Sequence, residues 1–254
     1  MTGKAIMPKI KRFMTKTGRE LAYERLEGAG PGLVFLGGFK SDMQGSKALY
    51  LQDWAVQTGR AFLRFDYSGH GQSGGDFTDG CIGDWAGDAM EIVEALTGGP
   101  QVVVGSSMGG WIALLLARQM PQKVQGLVGV AAAPDFTEDS MWAGFDMDQR
   151  AALMRDGQIG LPSEYEDSPY IITRKLIEDG RQQLVLRAPL ELPFPVRLMQ
   201  GTADASVDIS VPLRLLEHAR GADIRLTLVK GADHRFSTPE CLAMIVAAVE
   251  ELGG

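Results

Sequence analysis

The apolar residues of this chain fall into short runs with two different spacings. Leu33-Val34-Phe35-Leu36, Ala61-Phe62-Leu63-Arg64-Phe65, Gln101-Val102-Val103-Val104, Gly126-Leu127-Val128-Gly129-Val130-Ala131, Val196-Arg197-Leu198-Met199 and Ile224-Arg225-Leu226-Thr227-Leu228-Val229 are nearly continuous. Such runs predict strands covered on both faces. Residues near 46–58, 84–96 and 111–118 instead carry the spacing of helices. Ahead of them, residues 9–14 alternate into the turn Lys16-Thr17-Gly18-Arg19, and Leu21–Leu26 follows, so the chain should open with a hairpin. The whole predicts an α/β architecture: an eight-stranded, mostly parallel sheet with helices on both faces. Active sites of such sheets form where loops leave the carboxyl ends of the strands.

One interval breaks the rhythm. From Pro134 to Pro195 no strand-like run is evident, while Met141, Trp142, Phe145, Leu153, Tyr165 and Tyr170 supply scattered large apolar groups. A small helical cap inserted at about 134–195 is the expected reading, within one domain spanning 1–254. Most of these side chains should bury the cap's underside; Met141, Trp142 and Phe145 are the candidates to line a substrate pocket. A Met- and aromatic-rich lid suits an acyl chain or an aromatic acid better than a sugar or peptide.

Charge and composition narrow the function classes. With 254 residues, 45% of them hydrophobic, the chain can bury one sizeable core. A net charge of -7 disfavours nucleic acid or an anionic membrane as partner, since both require clustered Lys and Arg. No segment reaches the roughly 18–20 apolar residues of a membrane span, so stable membrane insertion is not expected. Cys81 and Cys241 are far apart and lack metal-ligand spacing, which predicts two reduced core thiols and no metal site. The basic start, Lys4 to Arg19, has no apolar signal core, and a cytoplasmic location is the expectation.

The candidate chemistry lies at Gly105-Ser106-Ser107-Met108-Gly109, between the strand at residue 101 and the helix at residue 111. A strand-to-helix turn of this kind forces its middle residue into a strained conformation and projects the hydroxyl of Ser107. The first free N–H groups of the helix then point at whatever that hydroxyl attacks. Serine needs a base, and the chain has three histidines. His70 lies in a turn-rich loop and His218 within a helical run, whereas His234 follows the last strand and precedes the terminal helix. His234 is therefore the expected base. Its orienting carboxylate should leave the preceding strand, where Asp204 comes directly off the end and Asp208 reads as a helix-start residue. Asp233, adjacent to the histidine, cannot orient its neighbour's ring. The loop Leu36-Gly37-Gly38-Phe39-Lys40 brings a second backbone donor, and the N–H groups of Phe39 and Met108 are the expected oxyanion hole.

The order Ser107, Asp204, His234 resembles that of the α/β-hydrolase superfamily, and the likeness extends beyond the triad. Phe65-Asp66-Tyr67-Ser68-Gly69, Gly105 to Trp111, Pro121-Gln122-Lys123-Val124, Leu161-Pro162-Ser163-Glu164-Tyr165 and Asp233-His234-Arg235 are similar to the α/β-hydrolase-domain protein ten group. That resemblance implies acyl-protein thioesterase and acyl-glucuronide esterase activities, with Ser107, Asp204 and His234 in the triad positions. Two departures accompany it: Gly37-Gly38 stands where many relatives carry His-Gly or Pro-Gly, and the mitochondrial member's long targeting segment is missing, which implies a bacterial-type cytoplasmic relative. Arg64, Asp66 and Trp111 read as structural residues within those motifs.

The leading expectation is a serine hydrolase for carboxylic esters or thioesters, acting on a small-molecule or acyl-protein substrate without any cofactor. Two alternatives stand beside it: a C–C bond hydrolase or lyase using the same triad, and a non-catalytic binding protein of the same fold. The residues alone do not separate ester from thioester.

Overall fold

The computed structural model describes residues 9–161 and 169–254; Lys4 and the motif residues 162–165, Tyr165 among them, lie outside the described residues. The chain opens with the hairpin read from its alternation, β1 (Lys11–Met14) against β2 (Glu20–Leu26), paired antiparallel from Lys11↔Tyr23 to Met14↔Glu20. Then β3 (Ala29–Leu36), α1 (Ser46–Thr58), β4 (Arg60–Phe65), α2 (Ile82–Leu96), β5 (Gln101–Ser106), α3 (Met108–Gln119) and β6 (Val124–Val130) alternate. After the insert come β9 (Leu190–Glu191), β10 (Val196–Gly201), α6 (Ser210–His218), β11 (Ala219–Arg220), β12 (Ile224–Val229) and α7 (Pro239–Gly253). The short β9 and β11 pair with each other beside the main sheet.

The main sheet has eight strands in the order β1-β2-β4-β3-β5-β6-β10-β12, and every pairing from β4 to β12 is parallel. Each inner strand is buried on both faces, which is why its sequence reads as a continuous apolar run. Two apolar layers result. One packs α2 and α3 on the sheet through Trp85, Ile92, Trp111 and Leu115; the other packs α1 and α7 through Leu51, Ala55, Ile245 and Val249. Cys81 and Cys241 are buried free thiols, Cys241 within the second of these layers. No helix among the described residues is long and apolar enough to cross a membrane.

Arg64 and Asp66 tie the loops together. Arg64 pairs with Glu24 at 2.7 Å, both buried, and Asp66 accepts the N–H groups of Met43 at 2.6 Å and Gln72 at 2.8 Å. A buried ion pair of this kind adds little net stability, because desolvation offsets most of its attraction.

The insert departs from the expectation of an all-helical cap. It holds a wide helical turn (Thr137–Trp142), α4 (Met147–Asp156) and α5 (Arg174–Gly180), but also an antiparallel pair, β7 (Gln158–Leu161) with β8 (Tyr170–Thr173). Four residues per strand, with Ile172 the one buried position of the eight, give too little periodic signal to be read from sequence. The helices carry their own stop and start signals: Asp146 and Gln149 form a reciprocal cap on α4, Gly157 ends it at φ 80°, and Thr173 caps α5.

Candidate active site

Five adjacent parallel strands end on the same rim, and each contributes one piece of the site. The elbow follows β5, where Ser107 adopts φ 55° and ψ -120° and is held by its own N–H to the Val130 carbonyl at 2.9 Å. Such a backbone costs about 1–3 kcal/mol and persists only where its surroundings leave no alternative. Here they leave none. A Cβ at Gly105 would collide with the Gly109 carbonyl, and one at Gly109 with the Leu36 carbonyl, so helix and sheet meet main chain to main chain. The non-glycine residues with positive φ among the described residues, Lys40, Ser107, Ala131, Asp135 and Phe236, all lie on loops leaving the carboxyl ends of β3, β5, β6 and β12.

The loops after β10 and β12 bring Asp204 and His234 to the elbow. His234 Nε2 lies 3.1 Å from Ser107 Oγ, and His234 Nδ1 lies 2.8 Å from Asp204 Oδ2. Asp204 is fully enclosed, while the imidazole is about one-fifth exposed. Burial alone would raise the Asp204 carboxyl, but hydrogen bonds from His234 and from the Val207 and Ser206 N–H groups, with the nearby imidazole, hold it below its usual range. An ionised Asp204 keeps the proton on Nδ1 and leaves Nε2 free to accept from the serine.

Gln200 is a site residue that sequence reasoning missed. Its side chain is completely buried at the end of β10 and donates to Asp204 Oδ2 at 2.8 Å and to the Val207 carbonyl at 3.1 Å. A glutamine directly after the apolar pair Leu198-Met199, where the strand meets its loop, is the signal that could have found it. The other acids take local roles: Asp208 accepts the Ser210 N–H at 2.8 Å, and Asp233 accepts the Phe236 N–H at 3.1 Å. His218 bonds the Ala188 carbonyl, and His70 sits in an enclosed ring cluster with its pKa lowered to about 4 by burial.

The two residues expected to supply backbone donors, Phe39 and Met108, line the same cavity as Ser107. Met108 is the first residue of α3, so its N–H has no partner within the helix. Phe39 lies in a turn closed by the Ser41 N–H to the Gly38 carbonyl at 3.2 Å and reinforced by Ser41 Oγ at 2.8 Å. The Phe39 ring is held edge-on by Phe77 at 4.9 Å, Phe136 at 5.7 Å, Trp85 at 6.0 Å and Tyr170 at 6.2 Å. Each such pair contributes about 0.5–1.5 kcal/mol beyond area burial. A left-handed backbone, as at Lys40 with φ 54°, costs about 1–2 kcal/mol, so the packing wins and the turn holds.

A cavity of about 350 Å³ opens beside Ser107 and His234, with Phe39, Met108, Phe136, Met141, Val207 and Val211 in its wall. Of the three pocket candidates, Met141 lines it. Trp142 does not: its ring is flanked by the guanidinium groups of Arg150 at 5.2 Å and Arg181 at 4.6 Å. Phe145 is buried in the core and packs on Trp142 at 6.2 Å. The wide helical turn rotates these neighbours of Met141 away from the cleft, which linear spacing could not show. A second cavity, about 290 Å³, also meets Phe39, Ser107 and His234 and is bordered by Lys47, Tyr170 and Arg235. Burial, with Arg235 nearby, lowers Lys47 to about 8 although Asp233 opposes it, and its ammonium donates to the Arg235 carbonyl at 2.5 Å. No group of side chains among the described residues could hold a metal ion.

With this geometry in hand, comparison with known proteins decides the family. Residues 35–159 match the model of the alpha/beta hydrolase fold. The rat Palmitoyl-protein thioesterase ABHD10, mitochondrial, is 33% identical over 233 residues, spanning 91% of this chain and 78% of the rat protein. The chain belongs to the α/β-hydrolase family. Two solved members resemble it over nearly their full length. A putative hydrolase from Agrobacterium vitis S4 superposes with a TM-score of 0.93 at 37% identity, covering 97% of this chain and 99% of the other. Mouse alpha/beta hydrolase domain-containing protein 10 gives 0.89 at 30% identity, covering 96% and 98%. This α/β-hydrolase is thus ABHD10-like in sequence and in fold.

Proposed function

We propose that this α/β-hydrolase cleaves carboxylic esters or thioesters of apolar acyl groups through an acyl-enzyme, with Ser107 as nucleophile, His234 as general base and Asp204 as orienting acid. The observation that carries the reading is the continuous hydrogen-bond line from Asp204 through His234 to Ser107, ending at the mouth of an apolar cavity. The elbow supplies a hydroxyl that cannot turn away, and the enclosed Asp204 supplies a histidine in the correct tautomer.

In the reaction, Ser107 Oγ attacks the acyl carbon as its proton passes to His234 Nε2. Negative charge collects on the former carbonyl oxygen, where the Phe39 and Met108 N–H groups receive it. Each such donor is worth about 3–4 kcal/mol in the transition state. His234 then returns the proton to the departing alkoxide or thiolate. Water, deprotonated by the same imidazole, releases the acid and regenerates Ser107. No metal or organic cofactor takes part.

The acyl group occupies the cavity lined by Met141, Phe136 and Val211, whose size and apolar wall favour a chain or aromatic acid. The thioester arm of the proposal is supported by the palmitoyl-protein thioesterase names of the mammalian relatives. A fluorophosphonate probe should label Ser107 in folded protein and fail on Ser107→Ala. Hydrolysis of p-nitrophenyl esters and acyl thioesters of increasing chain length then ranks the two bond types. Absence of any Ser107 adduct in folded protein would overturn the reading.

A further inference from the structure

The oxyanion donor Phe39 is followed by a strained residue, and the side chains of both rest on a ring that belongs to the cap. Lys40 Nζ lies 4.6 Å from the centroid of Tyr170, and the Phe39 ring meets the same tyrosine edge-on at 6.2 Å. On the sheet side, Phe77 repeats the arrangement, with Lys40 at 5.8 Å and Phe39 at 4.9 Å. The peptide unit joining Phe39 to Lys40 is therefore gripped from two sides. Phe77 precedes α2 in the body of the fold, whereas Tyr170 is the first residue of β8 in the insert. Gly37 and Gly38 precede the grip, so the backbone on that side has little stiffness of its own.

We propose that Tyr170 is a positioning residue for the oxyanion hole: its ring clamps Phe39 and Lys40 so that the Phe39 N–H points at the reacting carbonyl. The cap then contributes to the chemical step as well as enclosing substrate. This rests on the serine-hydrolase reading above, because only there does the direction of that N–H matter to turnover. The aromatic face is the working part. A phenol hydroxyl is not required, since both contacts are made to the ring. The arrangement links one side of the cleft to the other: the β7–β8 pair is fixed by its own register, from Gln158↔Thr173 to Leu161↔Tyr170, and passes that order to the loop after β3.

The prediction is a split in kinetic constants, read with p-nitrophenyl acetate. Tyr170→Ala should lower kcat about tenfold while KM stays within about twofold, the signature of an interaction made only in the transition state. Tyr170→Phe should keep wild-type kcat. Lys40→Met should lower kcat by a smaller factor, and combined with Tyr170→Ala it should add nothing further. A raised KM with unchanged kcat would overturn the proposal, leaving Tyr170 as a wall of the second cavity and nothing more. Loss of kcat in Tyr170→Phe equal to that in Tyr170→Ala would overturn it as well.

A second measurement separates the clamp from the serine-hydrolase reading itself. Amide hydrogen exchange at residues 39–40 should quicken about tenfold in Tyr170→Ala and stay at the wild-type rate in Tyr170→Phe, whatever the activity. Unchanged exchange in Tyr170→Ala sinks the clamp. Wild-type protein without Ser107-dependent turnover sinks the hydrolase reading instead. If Tyr170→Ala melts far below wild type, Tyr170→Leu carries the same two readouts with the volume largely kept.

Discussion

The elbow and the cap, on either side of the cleft, are fixed by different forces. At the elbow, main chain meets main chain: Gly105 and Gly109 leave no room for a methyl group, and the Ser107 carbonyl receives the N–H groups of Gly110 at 2.9 Å and Ala133 at 3.1 Å. In the cap, side chains hold the shape. Asp135 receives the Val185 and Leu186 N–H groups and Arg187, Arg181 meets Glu138 at 2.6 Å, and Arg214 meets Asp139 at 2.7 Å. Asp135 is buried, but the arginines of these pairs are each about one-third to one-half exposed, and such pairs yield to salt. The lesson is a division of labour: the Ser107 hydroxyl is placed by sterics that nothing in solution can screen, and the cap by polar ties that can adjust.

The strongest way to break this comparison is at the proposed triad. Ser107→Ala should lower kcat by roughly 10⁵-fold or more with the melting temperature nearly unchanged. Asp204→Asn should lower it by roughly 10⁴-fold, because the amide presents the wrong tautomer to His234. A steady-state assay with a chromogenic ester checks both. Residual activity within tenfold of wild type in Ser107→Ala would mean that the chemistry lies elsewhere.

Next comes the steric claim. Gly109→Ala should cost about 3 kcal/mol, since the added methyl meets backbone that cannot yield, and lower the melting temperature by roughly 6–12 °C. Met141→Ala, in the adjustable cap, should cost about 1 kcal/mol or less because the residue is only half-buried. A calorimetric scan compares the two. Equal effects would erase the contrast.

A pH prediction follows from His70, which is buried among Tyr67, Phe77 and Trp85. Burial lowers its pKa from 6.5 to about 4, the Ser68 carbonyl opposing only in part. Between those values the unfolded chain binds a proton that the folded chain refuses, so stability is lost as pH falls from about 6.5 towards 4. The full loss is about 3 kcal/mol from this residue. Burial raises Asp66 and Asp135, which act in the opposite direction, so the test is a difference: denaturant titrations of wild type and His70→Phe should diverge in slope across that window. Parallel profiles would show that His70 titrates normally.

The smallest expected effect concerns salt. At 1 M NaCl the exposed cap pairs weaken, each contributing about 0.2–1 kcal/mol, and KM for a long-chain ester should shift by roughly two- to fivefold. The kcat for a short ester should stay within about twofold. A change confined to kcat would place the screened charges at the elbow rather than in the cap.

Legibility in the sequence tracked the same divide. The parallel strands were readable because burial on both faces writes itself as unbroken apolar runs, and Ser107, Asp204 and His234 could be picked out because each lies on the turn or loop that follows such a run. Gln200 escaped because its partner, Asp204, matters to it only once the loop after β10 folds back. Trp142 and Phe145 were misplaced because the wide turn at Thr137–Trp142 changes which side chain faces the cleft, and no periodicity encodes that rotation. The β7–β8 pair was missed for want of length.

The sequence by itself determined the strand order's raw material, the elbow and which three side chains, Ser107, Asp204 and His234, meet beside it, since these depend on local spacing and steric size. Tertiary structure alone decided which rings surround Phe39, which side of the cleft is apolar, and that Tyr170 of the insert reaches Lys40 across 130 positions of chain. The reason is physical. Local preferences act through neighbours along the backbone, whereas packing and desolvation act between surfaces that become neighbours only after the chain has folded.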